Sequence, residues 1–485
     1  MKIVLLDPVG SGIPHLGLLF LSAALKQAGF KDTTFCSIDT ASNSFERSEE
    51  FFLKQLEEKP LVLITATVPI WVDAVKYAKI AKEKGCFVIV GGPAPTTFGK
   101  KILEKYSFID VVVKGEGELI IGDIAKATTK NDFTGIRGVI WKKDSVIIEN
   151  EENTLIRDLD SLPFPDYAAL DFKSYHGPFA FCTSRGCPYG CEFCFKPIHG
   201  RMFRSMSPER VLEQMKWIIK TFPAEFEKVN RTIGFSDDIF NFDMERAEKI
   251  AKMIIDQKLN IKMVSVNGFH VRHTNEAFFR LMKKAGFVEI WFGIDAGSEV
   301  VLKNLRKGIT LDMVRQAVKR AKKAGILTIG GHFIIGLRGD TLEHSRAAIA
   351  FIKSIPFDEV GLTHANVLPG TELWDYVKEH GTLLHETDGF DFSAFWQLNH
   401  GVIFETSDFP KADRIIAYEE ATKVMNYIRR RHIMKPGRVI KLIKDIHSPR
   451  DIIWVIGRAF TFITSKDLRA RKRKPRPSEI KKVRK

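Results

Sequence analysis

The stretch Cys182-Thr-Ser-Arg-Gly-Cys187-Pro-Tyr-Gly-Cys191-Glu-Phe-Cys194 decides how the rest of the chain is interpreted. Three of its thiols, those of Cys187, Cys191 and Cys194, lie in a segment that Gly and Pro make too irregular for a helix or a strand. Four thiolates complete the coordination of an iron–sulfur cubane, so three leave one iron free to bind a small molecule. The spacing therefore predicts a cubane cluster with one open position.

A structural zinc site is the alternative for this loop, with Cys182 or His199 as the fourth ligand. Zinc sites more often combine two Cys or Cys/His pairs that lie far apart in the sequence, and only one such unit is present. Cys182 follows the apolar run Pro178–Phe181, which favours a buried thiol at the end of a strand.

The loop resembles the signature of the radical S-adenosylmethionine (SAM) enzymes, in which an aromatic residue precedes the last of three cysteines. Phe193 occupies that position. The resemblance implies that Cys187, Cys191 and Cys194 hold a 4Fe–4S cluster whose free iron chelates the amino and carboxylate groups of SAM. It also implies a protein electron donor, such as flavodoxin or ferredoxin, and cleavage of SAM to a 5′-deoxyadenosyl radical.

Size and composition are those of a protein with two or three domains. A chain of 485 residues can build several cores, and no apolar run is long enough to cross a bilayer. The segment Met1–Asp7 is interpreted as a strand and not as a signal peptide. Six cysteines, three of them in one loop, favour a metal in a reducing compartment over disulfides. The expected location is the cytoplasm.

The positive charge is concentrated at the carboxyl end. Residues 466–485 contain eleven Lys or Arg against Asp467 and Glu479, and so hold most of the net charge of +15. We expect this tail to be solvated. Binding to an anionic membrane or to nucleic acid is the secondary interpretation, and of these two we expect the membrane.

Residues 1–150 alternate short apolar runs with helical stretches, which predicts an α/β fold with a doubly wound parallel sheet. Ligands bind such sheets beyond the carboxyl ends of the strands. Small residues predominate at that edge, which could admit a large flat ligand. The predicted strands are Lys2–Leu6, Leu61–Ala66, Phe87–Val90 and Val111–Val113, and the predicted helices are Leu16–Ala28 and Trp71–Lys84.

This part resembles the cobalamin-binding domain that precedes the cluster domain in one branch of the radical SAM enzymes. The matching pieces are Pro14–Gly17, Thr65-Ala66-Thr67, Gly91-Gly92 and Gly115–Glu118. The resemblance implies that the cobalamin contacts are Thr65, Thr67, Gly91, Gly92, Gly115 and Glu116. The Asp-x-His-x-x-Gly motif for a lower cobalt ligand is absent, and His15 is interpreted as a surface residue at a helix entry. A flavodoxin-like sheet that serves only as a scaffold is the alternative.

The rest of the chain divides into three parts. Residues 151–175 are expected to be an extended linker, because Pro163 and Pro165 disfavour helix. Residues 176–380 predict a partial β/α barrel, in which the cysteine loop follows the first strand at its carboxyl end. Residues 381–485 predict a helical region. The predicted barrel strands are Pro178–Phe181, Thr232–Phe235, Lys262–Val266, Glu289–Ile294, Leu327–Ile335 and Glu359–His364, and the predicted helices are Ala412–Arg431, Val439–Ile446 and Asp451–Ile463.

The ends of the later barrel strands carry further residues that resemble the SAM contacts of the family. Asp237 and Asp238 resemble the contact to the methionyl amine, with a helix N-cap as the alternative. Asp295 occupies a position near the ribose or methionyl group where Glu is more usual. Gly331 and Ile335 resemble the strand that offers its backbone to adenine. Four histidines near barrel strands are candidates for an acid or base, although a structural role is favoured for each: His270, His273, His332 and His364.

These features together predict a cobalamin-dependent radical SAM enzyme that methylates an unactivated carbon of a small molecule or lipid. An oxidative cyclase or rearrangement enzyme of the anaerobic porphyrin-ester cyclase type is the first alternative. A methylthiotransferase should supply three more cysteines in its amino-terminal domain, where only Cys36 and Cys86 are present. A metal-dependent nucleic-acid-binding protein is the alternative outside enzymes. The substrate stays open among lipids, tetrapyrroles, peptides and antibiotic precursors. Packing against the barrel is the favoured interpretation of the amphipathic segment Asp451–Ile463, and the alternative, peripheral membrane contact, slightly favours a lipid substrate.

Overall fold

The computed structural model of the chain describes residues 1–434 apart from residues 11–12, 40–41, 43, 176, 386–388, 391 and 393–400. The predicted helices Val439–Ile446 and Asp451–Ile463 and the basic tail lie outside the described residues. Across the described ranges, no helix has the length and apolarity needed to cross a bilayer.

An amino-terminal sheet forms the first half of the fold. Its strands are β1 (Ile3–Asp7), β2 (Thr33–Ser37), β3 (Leu61–Thr65), β4 (Phe87–Gly91), β5 (Val111–Val113), β6 (Val139–Lys143) and β7 (Val146–Glu149). They are arranged in the order β2-β1-β3-β4-β5-β6-β7. The first five run parallel in the order of flavodoxin-like sheets, whose ligand crevice lies where the winding reverses, between β1 and β3.

The predicted doubly wound parallel sheet is confirmed, and two strands that were not predicted, β6 and β7, add an antiparallel hairpin on the edge of β5. Asp144 and Ser145 connect the two strands, and both have positive φ, at 48° and 70°. Hairpin turns of this kind usually carry Asn-Gly or Asp-Gly. Asp-Ser is a weaker signal, and β2 was also not among the predicted strands.

Helices cover both faces of this sheet, because its central strands carry apolar side chains on both faces. Ile3 and Leu5 pack in one core with α1 and α6, whereas Val4 and Leu6 pack in another with α2 to α5. The first of these cores is continuous with the core of the second half of the molecule. The helices are α1 (Leu16–Gln27), α2 (Glu49–Gln55), α3 (Trp71–Glu83), α4 (Pro93–Phe98), α5 (Lys101–Lys105) and α6 (Ile121–Ala127).

The second half contains an open parallel sheet of six strands, as expected for a partial β/α barrel. Six strands follow the order β15-β14-β13-β12-β11-β8, and β9 and β10 form a separate antiparallel pair. The bounds are β8 (Phe179–Phe181), β9 (Ser184–Arg185), β10 (Arg204–Ser205), β11 (Thr232–Phe235), β12 (Lys262–Phe269), β13 (Phe287–Asp295), β14 (Thr328–Ile335) and β15 (Glu359–His364).

Helices alternate with these strands along the chain. In α7, Ser207 caps the helix by accepting a hydrogen bond from the Arg210 N–H at 3.1 Å, and Pro208 occupies the first helical position. The helices of this half are α7 (Pro208–Thr221), α8 (Pro223–Lys228), α9 (Met244–Asp256), α10 (Glu276–Ala285), α11 (Glu299–Asn304), α12 (Leu311–Lys323) and α13 (Leu342–Ser354).

The strand β12 is longer than predicted. Asn267-Gly268 suggests a turn, but the strand continues through an irregular register to Phe269. Gly268 has φ +88°, and a Cβ there would lie 2.6 Å from the Asp237 carbonyl oxygen. Irregular strands of this kind occur next to active sites, and this one brings β12 close to the end of β11.

The segment between the two halves and the region after β15 contain shorter elements. Residues 151–175 form two short 3-10 turns, Leu159–Ser161 and Tyr167–Ala169. Thr371 caps α14 (Glu372–His380) by accepting a hydrogen bond from the Trp374 N–H. An antiparallel pair, β16 (Gly381–Leu383) and β17 (Phe404–Thr406), and the helix α15 (Lys411–Ile433) follow. The helix predicted over Ala412–Arg431 is confirmed.

Candidate active site: the cysteine loop and the adjoining cavity

The cysteine loop leaves the carboxyl end of β8 and is closed at its base by β9 and β10. Arg185 pairs with Arg204, so the residues between them form one excursion. Gly186 begins it with φ +81°, and a Cβ at this position would lie 2.2 Å from the Met202 carbonyl oxygen. Only glycine fits this closing point without displacing the backbone.

The three thiols of the loop are half-buried and free of disulfides. They interact electrostatically with one another, and burial raises the pKa of Cys191 and raises that of Cys194 to about 11. Lys196 Nζ donates to the carbonyl oxygens of Cys187, at 2.9 Å, and Tyr189, at 3.0 Å, which fixes the turn of the loop.

This donor set suits a cluster. In the part of the chain that the structure describes, no three His, Cys, Asp or Glu side chains converge on a position for one ion. A cubane does not require such convergence, because each thiolate ligates a separate iron. Three soft sulfur ligands on one loop therefore fit an iron–sulfur cluster.

The two candidates for a fourth zinc ligand are engaged elsewhere. The Cys182 thiol donates to the Ser184 carbonyl oxygen at 3.0 Å, and burial raises the pKa of Cys182 to about 12. This is the protonated thiol expected at a strand end. His199 Nδ1 lies 3.1 Å from Glu116 Oε1.

Asp237 and Asp238 follow β11 but have different surroundings. Asp237 is buried, and its Oδ1 accepts from the Thr183 hydroxyl at 2.7 Å and the Ser184 hydroxyl at 2.6 Å. Burial raises the pKa of Asp237. Asp238 is exposed, and its Oδ2 accepts from the Gly186 N–H at 2.9 Å. Neither is the N-cap of α9, which is Asp243.

Asp295, at the end of β13, forms an ion pair with Lys307, a residue that the sequence did not single out. Both side chains are almost fully buried, with 9% and 12% of their surface exposed. Asp295 has φ +70°, a conformation that costs energy for a non-glycine residue. Burial opposes the charge on Lys307, but Asp295, with Cys191 and Cys187, raises its pKa, so a fixed cation stands beside the cysteine loop.

The remaining residues predicted to contact SAM are less accessible. Phe193 is half-buried and packs against the core. A Cβ on Gly331 would lie 2.9 Å from Ile294 and 3.0 Å from the Phe357 ring, so glycine is required there for packing within the protein. Ile335 is buried, and its carbonyl oxygen accepts from the Ala365 N–H at 2.8 Å.

A cavity of about 330 Å³, open on one side, lies between the carboxyl edge of the first sheet and the base of the cysteine loop. All six residues that resemble cobalamin contacts line it: Thr65, Thr67, Gly91, Gly92, Gly115 and Glu116. His15 also lines it, and its Nδ1 accepts from the Leu18 N–H at the start of α1. From the second half, Cys182, Arg185, Ile198, His199 and Ser236 complete the lining.

Glu116 joins the two halves of the molecule. Its Oε1 accepts from Arg185 at 2.9 Å, and its Oε2 accepts from Arg204 and from the Ile156 N–H, both at 2.7 Å. Burial alone would raise the pKa of Glu116, but hydrogen bonds from His199 and Arg204 and the charge of Arg185 hold it well below its usual range. The carboxylate predicted to contact cobalamin is therefore already bound by protein groups.

The four histidines differ in their surroundings. His270 stacks on Tyr189 with ring centres 4.2 Å apart, and burial lowers the pKa of His270 to about 3. His273 Nε2 lies 2.6 Å from the Tyr189 hydroxyl. His332 stacks on Trp291, and His364 stacks on Tyr418. His270 and His273 therefore contact the cysteine loop through Tyr189. His332 and His364 stack on residues that do not belong to this loop.

Comparison with known proteins adds family evidence to this geometry. The model of the radical SAM superfamily matches residues 181–352, and the model of the B12-binding domain matches residues 2–125. An uncharacterised methyltransferase from Pyrococcus horikoshii is 32% identical over 401 residues, which cover 79% of this chain and 84% of that protein. The chain belongs to the radical SAM superfamily and carries a B12-binding domain.

The chain is also similar to other proteins in sequence and, for a solved structure, in fold. The anaerobic magnesium-protoporphyrin IX monomethyl ester cyclase of Cereibacter sphaeroides is 26% identical over 71% of this chain and 58% of its own length. The hopanoid C-3 methylase of Methylococcus capsulatus is 26% identical over 74% and 68%. The radical SAM methyltransferase TsrM of Kitasatospora setae superposes with a TM-score of 0.65 at 18% identity, over 80% of this chain and 82% of TsrM.

Membership in this superfamily implies a 4Fe–4S cluster and SAM, and the B12-binding domain implies cobalamin. The cavity suits cobalamin, because glycines at its rim let a large ligand approach the backbone closely. At Gly92, with φ +98°, a Cβ would lie 2.7 Å from the Thr65 hydroxyl oxygen. The first half of this radical SAM protein therefore has a glycine-lined cavity at the sheet edge where doubly wound folds bind their ligands.

Proposed function

We propose that this radical SAM protein transfers a methyl group to an unactivated carbon in a cobalamin-dependent reaction. One observation carries the proposal: the cavity at the B12-binding edge is lined by Cys182 and Arg185, which belong to the base of the cysteine loop. The sites for cobalamin and for the cluster with SAM would therefore adjoin, so that one substrate carbon could reach both the radical and the methyl donor.

The cofactors would be held by residues with different roles. Cys187, Cys191 and Cys194 would ligate the cluster. Asp238 is the better candidate for the SAM ammonium group, because Asp237 is buried and anchors Thr183 and Ser184. The cationic Lys307 would balance negative charge beside the thiolates. When bound, the cluster with SAM supplies radical hydrogen abstraction, and cobalamin supplies methyl-group transfer.

The cavity residues would hold cobalamin mainly through shape. Gly91, Gly92 and Gly115 would let the backbone approach the ring, and Thr65 and Thr67 would offer hydroxyl groups. Glu116 would act indirectly, since Arg185, Arg204 and the Ile156 N–H already occupy its oxygens. His15, as a helix cap on the cavity wall, would not be needed as a cobalt ligand.

Several further assignments belong to the same proposal. The domain boundaries would be 1–150 for cobalamin binding, 151–175 for the linker, 176–380 for the radical SAM barrel and 381–485 for the carboxyl-terminal region. The free cysteines favour work in the cytoplasm, with flavodoxin or ferredoxin as electron donor. A small-molecule substrate is expected, and the carbon methylation named for the hopanoid C-3 methylase supports a lipid.

The test is anaerobic reconstitution of the full chain with iron, sulfide and cobalamin. We expect four irons per chain, a cubane absorption spectrum and cleavage of SAM. Cys187→Ala should lose the cluster, whereas Cys36→Ala, a free cysteine in β2, should keep it. Wild-type protein without a cubane spectrum would overturn the proposal.

Oxidative cyclisation remains the second candidate because the porphyrin-ester cyclase covers a large part of the chain. Mass spectrometry of the product separates the two reactions. Methyl transfer adds a CH2 unit to the substrate and leaves S-adenosylhomocysteine, whereas cyclisation removes hydrogen and adds no carbon.

A further inference from the structure

Four exposed arginines surround the outer turn of the cysteine loop: Arg201, Arg272, Arg306 and Arg338. We call them the arginine collar. Arg201 and Arg272 lie beside residues 189–190, the Arg338 backbone contacts Glu192, and Arg306 shares the carboxylate of Glu372 with Arg201. Arg201 belongs to the excursion between β9 and β10, and the other three come from segments that follow β12, β13 and β14. The fold therefore gathers charge that is dispersed in the sequence.

Two of the collar residues contact the loop closely. A Cβ placed on Gly190 would lie 3.5 Å from Arg201 Nη1, so the guanidinium covers the middle of the loop. A Cβ on Gly308 would lie 3.1 Å from Arg272 Nη1 and 3.6 Å from the Tyr189 ring, so Arg272 and Tyr189 are neighbours.

Arg338 contacts Glu192, the residue that follows Cys191, through its backbone, and its guanidinium lies 4.7 Å from the centre of the Tyr376 ring. The Arg338 N–H donates to Glu192 Oε1 at 3.3 Å. Glu192 is 4% exposed, so the one acidic side chain within the loop is withdrawn from the outer surface that the arginines occupy.

The collar keeps an excess of positive charge after its ion pairs are counted. Glu372, half-exposed at the start of α14, accepts from both Arg201, at 3.3 Å, and Arg306. Among the described residues no other carboxylate is recorded in an ion pair with the four arginines. One carboxylate shared by two arginines leaves the surface cationic, and exposed pairs of this kind are weak.

The collar is distinct from the cavity. The described residues that line the cavity reach the loop through Arg185, Ile198 and His199, and they include none of the collar arginines. The loop therefore has one flank toward the cobalamin site and another flank that is cationic and exposed. An electron could enter from the second flank without passing through the first.

We propose that the arginine collar is the docking surface for an acidic protein that donates one electron to the cluster. This rests on the proposed function, which supplies the cluster. In the step, the reduced flavin of the donor loses one electron and the oxidised cluster gains it, with no bond made or broken. Interfaces for such transfer are small and are steered by charge, which suits four arginines around one turn of a loop.

The experiment measures the rate at which reduced flavodoxin, an acidic flavoprotein, reduces the reconstituted full-length protein in an anaerobic stopped-flow instrument. The Arg201→Glu/Arg306→Glu variant should lower the second-order rate constant at low salt by about tenfold or more. Added salt should slow the wild type and affect the variant less. The matched control is Lys284→Glu/Lys319→Glu, which reverses two exposed charges on α10 and α12 and should leave the rate unchanged.

Reduction by dithionite separates docking from damage to the cluster. The collar variant should be reduced by dithionite at the wild-type rate. An unchanged flavodoxin rate, or an equal loss with dithionite, would overturn the proposal. Affinity for oxidised flavodoxin, measured by biolayer interferometry on the protein without its cluster, tests the surface even if the proposed function fails. Equal affinity of variant and wild type would again overturn it.

Discussion

Lys307 and Asp295 show how single residues set the charge at the cysteine loop. The ammonium group is held between a carboxylate and the thiols of Cys187 and Cys191, with little access to water. Space for it comes from Gly293, where a Cβ would lie 2.9 Å from Lys307 Nζ. A buried cation next to a cluster stabilises the more negative, reduced state, because the field is weakly screened there.

Replacing Lys307 should therefore lower the reduction potential of the cluster. For Lys307→Met we expect a fall of about 60 mV or more, which is a tenfold change in a one-electron equilibrium. Lys307→Arg keeps the charge and should stay near the wild type. A redox titration followed by electron paramagnetic resonance measures the potential. The Lys307→Met/Asp295→Asn variant controls for the unpaired carboxylate, and an unshifted potential in Lys307→Met would refute the electrostatic role.

At this scale the sequence predicts which residues share one loop but not which distant side chains the fold brings to that loop. The spacing of Cys187, Cys191 and Cys194 places them on one loop by covalent connection alone. Lys307 was missed because its role depends on folding, which brings it to the loop from beyond α11. Asp237 stays a predicted cofactor contact: two hydroxyl groups bind its Oδ1, but its buried Oδ2 has no hydrogen-bond partner among the described residues. Nothing in the local sequence distinguishes it from the exposed Asp238.

Among the elements, the loop between β9 and β10 depends on its closing glycine. Gly186 has φ +81° and no room for a Cβ beside the Met202 carbonyl. Gly200, in the same loop, has φ +61° with nothing within 4 Å of its Cβ position. The two glycines thus share a left-handed backbone conformation, but only Gly200 has room for a Cβ atom.

Gly186→Ala should displace the cysteines and prevent stable cluster assembly, because both backbone strain and a steric clash act there. Gly200→Ala carries only the strain, of about 1 kcal/mol, and should retain most of the cluster. Iron content and the absorption spectrum after reconstitution give the result, with circular dichroism as the measure of folding. Equal iron content in both variants would contradict the proposal that a steric clash at residue 186 prevents cluster assembly.

The alternation of strands and helices was the most predictable part of the fold. The strands Thr232–Phe235 and Glu359–His364 agree with the structure residue for residue. The errors arose where the backbone departs from regular geometry, at Asp144-Ser145 in the hairpin and at Gly268 in β12. Both depend on pairing with a neighbouring strand, which local sequence does not record.

In the molecule as a whole, Glu116 connects the B12-binding half to the cysteine loop. Its side chain is 1% exposed and is held by Arg185 and Arg204, which are 7% and 4% exposed. Because the pKa of Glu116 is lowered on folding, the carboxylate contributes stability above its unfolded pKa, near 4.5, and loses it as the pH falls below that value.

Glu116→Gln should lower the free energy of unfolding by about 3–5 kcal/mol at pH 7, since two buried arginines lose their partner. The difference from the wild type should stay constant between pH 7 and pH 5 and shrink as the pH falls below about 4.5. Urea unfolding at several pH values provides the measurement. Glu151→Gln, which removes an exposed carboxylate paired with Arg137, should have no measurable effect. A difference that grows toward low pH would contradict the assignment.

The cavity between the two halves makes a separate prediction about cobalamin. Thr67 is an exposed residue on its wall, so Thr67→Trp should fill space without disturbing the core. Cobalamin affinity, followed by absorbance, should fall at least tenfold, while iron content stays that of the wild type. Thr129→Trp, exposed just beyond α6, is the control. Wild-type affinity in Thr67→Trp would place cobalamin elsewhere.

The central claim is that three cysteines leave one iron open for SAM. It is tested most directly by the electron paramagnetic resonance spectrum of the reduced, reconstituted protein before and after SAM is added. We expect a reduced 4Fe–4S signal whose g values shift on addition of SAM, with hyperfine coupling to the nitrogen of amino-labelled SAM. A spectrum that SAM leaves unchanged, or one with no cubane signal, would contradict the account.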